Sequence, residues 1–335
     1  MPTGLTLLLL AVIGLAVLFD YINGFHDTAN AIATSVSTRA LRPEHALLMS
    51  ATANFVGALT GTAVAKTISS GLADTPSGAA GQTIVAAALI GAIVWNLITW
   101  RFGIPSSSSH ALIGGLLGAV TVSIGASAIK VGGVLGNVLL PLVLSPILGI
   151  VIGFLVMVVI FNVFRHAHPR RMNDRFRRLQ VISAAFMAFS HGSNDAQKTM
   201  GIMTLALIAA GILPPASSIP LWVIVLAATA MSLGTAAGGW RIITTMGRKV
   251  VKLDPVHGFA AETTAATIIL TASHFGMPVS TTHVISSAII GVGSSDRLSA
   301  VRWGVAGNIV IAWILTIPAS AIVAGIAYVV ISPFL

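Results

Sequence analysis

Two short polar motifs interrupt a chain that is otherwise apolar enough to sit in lipid, and each motif occurs twice. Residues 23–30 read NGFHDTAN and residues 191–198 read HGSNDAQK. Aligned on Gly24 and Gly192, they set Asp27 opposite Asp195, 168 residues further on. A second pair, FGIPSSSSH at 102–110 and FGMPVSTTH at 275–283, repeats with an offset of 173 residues. Carboxylates and hydroxyl clusters are costly in a bilayer, so two copies of each mark a polar site built at a repeat interface.

Composition supports that setting. Charged side chains make up 8% of the 335 residues and mean hydropathy is +0.95, whereas soluble domains carry about 25% charged residues. A water-soluble globule of this kind would lack the polar side chains to cover its surface. Apolar stretches of helical length recur from 4–19 to 303–334, and no ten-residue segment alternates with period two, which argues against a β-barrel. The expected class is an all-α integral membrane protein with about ten to twelve membrane segments, some of them broken or re-entrant hairpins.

The net charge of +9 does not point to nucleic acid. Its largest cluster is the run Arg165–Arg178, with six Arg and one Asp, as expected of a cytoplasmic segment obeying the positive-inside rule. The sequence divides into a first repeat at 1–164, a basic cytoplasmic loop at 165–180 and a second repeat at 181–335. Equivalent connections differ in charge. Arg39 and Arg42 follow the first motif, while its counterpart near 209–215 is uncharged. The stretch 66–81 holds one Lys and one Asp, but 241–254 holds Arg241, Arg248, Lys249 and Lys252. Basic connections face the cytoplasm, so the two repeats are expected to have inverted topology, with both termini extracytoplasmic.

Of nine acidic residues, Asp20, Asp27, Asp195 and Glu262 fall within or at the ends of apolar stretches. Asp27 and Asp195 match each other and sit among small polar residues, so they are the leading cation or proton sites. Gly24 and Gly192 permit a helix break or a close backbone approach there. Asn23, Asn30 and Asn194 offer amide oxygens suited to a hard cation. Asp20 reads either as a further acid or as a cap for the motif segment. The Pro-Ser-rich motifs read differently. Pro105 and Pro278 cannot continue a preceding helix, and the Ser and Thr that follow run into apolar helical sequence. Each motif is a helix N-terminus presenting N–H groups and hydroxyls, a natural anion site. His110 and His283 end the two motifs and either orient the hydroxyls, line a proton path or pack.

With these residues in place, the chain resembles the PiT-type inorganic phosphate transporter family over essentially its whole length, most closely the bacterial low-affinity subgroup. The motifs that carry the resemblance are FDYINGFHDTANAIAT (19–34), WNLITWRFGIPSSSSHALIGG (95–115), FSHGSNDAQKTMG (189–201) and GFAAETTAATIILTASHFGMPVSTTH (258–283). It implies a multi-pass protein of the bacterial inner membrane, a transporter and not an enzyme, dimeric, importing inorganic phosphate with a cation. By motif position, Ser107, Ser108, Ser109, Ser280, Thr281 and Thr282 would hold phosphate. Asp27, Asn30, Asp195, Asn194 and Lys198 would form the cation and substrate site, with Glu262 and Asn23 nearby. Any metal would be held by Asp27 and Asp195, and no bound cofactor is implied beyond the coupling cation.

Two positions depart from the sodium-coupled members. Those keep Asn in both signatures, whereas here Asn30 is answered by Lys198. Many also carry Glu where this chain has Asn54. A fixed ammonium can stand in for a sodium ion and losing an acid removes a cation ligand, so both departures favour what the resemblance to the bacterial members implies, a metal–phosphate complex moving with a proton. The alternatives are sodium-coupled phosphate uptake or another tetrahedral oxyanion such as sulfate. An intramembrane aspartyl protease would explain the two acids but not the duplicated Ser/Thr helix starts. The topology is directly testable, because the chain has no native cysteine. Single cysteines at Ser70 and Arg178 should label from opposite sides of the membrane, Arg178 from the cytoplasm; labelling from one side would refute inversion.

Overall fold

The computed structural model describes residues 3–334. The described residues are almost wholly helical and contain no strand. The first half runs through α1 (Thr3–Ser37), α2 (Pro43–Ala58), α3 (Ala63–Ser70), α4 (Ala79–Phe102), α5 (Ser108–Ile124), α6 (Val131–Val134) and α7 (Leu140–Val163). The second runs through α8 (Pro169–Ala209), α9 (Leu221–Ala237), α10 (Trp240–Thr244), α11 (Pro255–His274), α12 (Thr281–Asp296) and α13 (Trp303–Ile331).

The order of elements repeats. A long motif helix, α1 or α8, is followed by a bent pair, 69° between α2 and α3 and 60° between α9 and the segment starting at Trp240. Next come α4 and α11. Each ends beside a glycine in the left-handed region, Gly103 at φ 65° and Gly276 at φ 69°, which stops a helix without a Cβ clash. An extended stretch carries Pro105 or Pro278, and the next helix opens on a serine cap. The two halves exchange partners reciprocally. α1 packs on α9 while α8 packs on α2, and α5 packs on α13 while α12 packs on α7.

Among the described residues, four helices are long and apolar enough to cross a membrane, or six if each bent pair is one span. That is fewer than the ten to twelve segments read from the sequence. α5 and α12, with 17 and 16 residues, fall short of the roughly 20 residues a bilayer requires. α8 carries charges along its length. Three local expectations are corrected. The stretch 165–180 is not a loop, because α8 begins at Pro169; the run has good helix formers and no breaker after that proline. Asp20 caps nothing, since it lies in the middle of α1. Neither Gly24 nor Gly192 breaks its helix. Both serve close approach instead: a Cβ on Gly24 would lie 2.3 Å from the Met231 carbonyl oxygen, and one on Gly192 would lie 2.1 Å from that of Asn54.

Those contacts set the site's position. One apolar core gathers the first part of α1, the last part of α8 and α3, α4, α5 and α9. The other gathers the last part of α1, Met187 and Ala188 of α8, and α7, α11 and α12. Residues 23–28 and 190–195 fall between them, so both polar motifs occupy the seam between two dry cores.

At the polar start of α11 the fold is tied by one histidine. His257 Nδ1 lies 2.7 Å from Asp254 and its Nε2 lies 3.0 Å from Asp296, at the end of α12. Burial pulls His257 down, but the hydrogen bonds and charges of Asp254 and Asp296 outweigh it and hold the imidazole above its ordinary value. Burial pushes Asp254 up, yet His257 and the N–H groups of His257 and Val256 hold it below its ordinary value. The histidine's contribution is present below its ordinary range and lost as pH rises through the raised value; the aspartate's is present above its ordinary range and lost as pH falls. Stabilisation should therefore peak between about pH 5 and 6.5. His257→Ala should cost about 1 kcal/mol at pH 5.5 and clearly less at pH 9, measured by thermal unfolding in detergent. An equal loss at both values would reduce the histidine to packing.

Candidate functional site

The duplicated helix starts meet. Ser107 caps α5, its hydroxyl accepting from the His110 N–H at 3.1 Å, and Ser280 caps α12, accepting from the His283 N–H at 3.2 Å. The Ser109 hydroxyl reaches the Val279 carbonyl across the gap at 3.4 Å. Beside it the His110 and His283 rings lie 4.8 Å apart, edge to face, with His283 stacked on Trp313 at 4.0 Å. Neither nitrogen of His283 has a hydrogen-bond partner, so packing is the contact the structure gives it. All six motif hydroxyl residues are buried. The Ser108 hydroxyl has no hydrogen-bond partner, and it sits where the first N–H groups of α5 lack carbonyl partners.

Asp27 and Asp195 are brought together as well. Ligand atoms of Asp27, His191 and Asp195 all lie within 4.8 Å of one another. His26 holds Asp27 through Nδ1 at 2.6 Å and reaches Thr99 through Nε2 at 3.0 Å. Asp195 has more partners. Lys198 Nζ pairs with its Oδ1, the Thr281 hydroxyl donates to its Oδ2 at 2.9 Å, and His191 Nε2 lies 3.0 Å from Oδ2. Lys198 also donates to the Ser109 hydroxyl and, at 2.8 Å, to the Val279 carbonyl. One ammonium therefore joins α8 to both helix starts. Asn30 completes the junction, its amide donating to Thr281 at 3.2 Å and Thr282 at 2.9 Å.

His191 was not anticipated, although its place four residues before Asp195 puts both on one helix face. Its tautomer follows from the network. The Asn54 amide donates to Thr235 at 2.9 Å, which turns the Asn54 oxygen toward His191 Nδ1 at 3.1 Å. Nδ1 then carries a proton for Asn54, and Nε2 faces the Asp195 carboxylate at 3.0 Å. Two carboxylates and an imidazole nitrogen this close together are a donor set that fits a divalent cation.

Other predicted residues stand apart. Glu262 lies in a separate buried cluster, accepting from Thr34 at 2.5 Å, Gln180 at 3.1 Å and Ser183. Thr34, Gln180 and Ser183 were missed; Gln180 fell in the supposed loop and hydroxyls on apolar helices give no distinctive signal. Asn194 turns away, donating to Ser273 at 2.8 Å and the Met277 carbonyl at 3.3 Å. Asp20 and Asn23 lie further toward the start of α1, both buried.

A buried acid left alone is worse than no charge at all. Lys198→Met should therefore destabilise the protein by about 3–5 kcal/mol, and Lys198→Met with Asp195→Asn should recover most of that loss. Thermal unfolding of the two variants and of Asp195→Asn alone checks this. A double variant no more stable than Lys198→Met would refute the pairing.

Comparison with known proteins gives the family. Residues 23–324 match the model of the phosphate transporter family. A Bacillus subtilis (strain 168) protein described as a "Probable low-affinity inorganic phosphate transporter" is 48% identical over 328 residues, covering 98% of each chain. A Rhizobium meliloti (strain 1021) protein of the same description is 48% identical over 322 residues, covering 96% of each. A solved structure described as the sodium-dependent phosphate transporter superposes with a TM-score of 0.89 at 26% identity, over 98% of this chain and all of the other. The chain belongs to the phosphate transporter family.

Proposed function

We propose that this protein is a symporter that imports inorganic phosphate, as a metal–phosphate complex, together with a proton. The observation that carries the reading is the convergence of two Ser/Thr helix starts and Lys198 on the Asp27–Asp195 pair. Backbone N–H groups, the unpartnered Ser108 hydroxyl and the ammonium supply what a phosphate needs. The carboxylates oppose it. At an effective dielectric of 20 and a separation of 4 Å, each charge pair costs about 4 kcal/mol. The anion then loads only with a cation that neutralises the acids, and linkage makes the help mutual.

Two features favour a proton and a divalent metal over sodium. Lys198 already places a fixed positive charge on Asp195, where a mobile monovalent cation would otherwise be needed. An imidazole nitrogen such as that of His191 is a better ligand for a divalent metal than for sodium. Sodium coupling, supported by the printed name of the structural neighbour, is the second reading. The inverted repeat, the homodimer and the inner-membrane placement with both termini extracytoplasmic belong to the same proposal. The repeated element order and the reciprocal packing of the halves support the repeat.

In proteoliposomes, wild-type accumulation of phosphate should need an inward proton gradient and a divalent metal such as Mg²⁺, and proceed without sodium. Ser108→Ala should weaken phosphate affinity about ten- to a hundred-fold, the loss of one charge-assisted hydrogen bond of about 1.5–3 kcal/mol. Asp27→Asn should abolish accumulation while leaving some binding. Accumulation on a sodium gradient alone would overturn proton coupling; absence of phosphate transport would overturn the whole reading.

A further inference from the structure

α1 carries a polar stripe along one face. Asp20, Asn23, Asp27, Asn30 and Thr34 follow one another at spacings of three and four, so they share a side of the helix. All five are buried. The stripe links the Asp27–Asp195 site to the Glu262 cluster at Thr34, and in the other direction it runs two turns, about 10 Å along the axis, to Asp20. The second half has no such extension, because the residue matching Asp20 is Ala188.

Asp20 is 0% exposed, and no hydrogen bond of good geometry reaches either of its oxygens. No Lys, Arg or His among the described residues forms a salt bridge with it. Asn23 and Thr199 are its polar neighbours, and the Asn23 Oδ1 and Thr199 Oγ1 atoms are also unpartnered. Four buried oxygens thus share two neutral donors, the Asn23 amide and the Thr199 hydroxyl, and no positive partner. An isolated buried carboxylate is costly enough that it neutralises itself by binding a proton or an ion. A hard cation would want about six oxygen ligands; one carboxylate, one amide and one hydroxyl fall well short. One proton satisfies the set. Protonated Asp20 can donate to Asn23 Oδ1 while its other oxygen accepts from the Thr199 hydroxyl. The charged groups facing Asp20 are Asp195 and Lys198 on α8. α9 has no titratable side chain, α4 has only Arg101 at its far end, and Glu44 and His45 are exposed at the start of α2.

We propose that Asp20 is the group that carries the co-transported proton, separate from the acids that meet phosphate and its metal. The inference rests on the proton-coupled reading above. A proton taken from hydronium forms an O–H bond on Asp20 and leaves water; release to cytoplasmic water reverses the step, so charge balances over the cycle. On the proposed topology, Asp20 lies on the extracytoplasmic side of Asp27, where an incoming proton is met first.

The test uses the full protein in proteoliposomes with Mg²⁺ and labelled phosphate. Asp20→Asn keeps the shape and the donor of the protonated acid. It should retain phosphate–phosphate exchange, lose accumulation driven by a proton gradient down to the level seen with no gradient, and no longer acidify the vesicle lumen during uptake. Unchanged proton-driven accumulation would overturn the proposal, as would loss of exchange together with accumulation. Sodium-driven accumulation removed while proton-driven accumulation stays would make Asp20 a sodium ligand and also overturn it. Should Asp20→Asn not fold, Thr199→Val decides. Removing the hydroxyl that steadies the charged acid should raise the pH midpoint of accumulation by about half to one unit, and an unmoved midpoint would refute the role. A wild type driven by sodium and not by protons would instead sink the coupling reading itself.

Discussion

The contact between Lys198 and Asp195 holds the centre of this molecule together. In an interior this dry a carboxylate needs a partner, and the ammonium that supplies one also bonds Ser109 of α5 and the Val279 carbonyl ahead of α12. Three elements remote in sequence are therefore fixed by one positive charge. An ion pair of this kind is weak evidence for stability, because its desolvation offsets much of the attraction. Its value lies in position. It points the positive ends of two helices and one ammonium at the same small volume, which is what an anion site requires.

Close helix packing makes that geometry possible. Gly24 against Met231 and Gly192 against Asn54 leave no room for a methyl group, so the two motif helices press directly on α9 and α2. The polar residues then fall at the seam between two apolar cores. α1 and α8 cross that seam unbroken, so the acids sit where two continuous helices tie the cores together.

Much of this was legible in the sequence because duplication is a signal that survives without an alignment. Asp27 and Asp195 were paired by motif position and the structure puts them together; Ser107 and Ser280 were read as helix starts and are caps. What failed was local. Gly24 and Gly192 were offered as breaks or close contacts, and only packing against another helix decides between the two. The run at 165–180 looked like a loop because it is basic, but charge reports the side of the membrane and not the backbone conformation. His191 and Gln180 were invisible because a lone imidazole or amide on a helix gains meaning only from what faces it.

Asp20 marks a place where the two halves of the chain stop matching. Here the pairing is broken twice. Asn30 is answered by Lys198, which gives one half a fixed charge, and Asp20 is answered by Ala188, which gives the other half an extra acid. The two departures are complementary in sign. Lys198 places a fixed positive charge on Asp195, and on the proposed symport the mobile charge is gathered elsewhere. The buried acid with unpartnered oxygens lies on the same stripe of α1, two turns from that pair. On the proposed proton coupling, both departures belong to one change: the cation held at the centre of the site becomes part of the protein, and the mobile charge moves to a separate group.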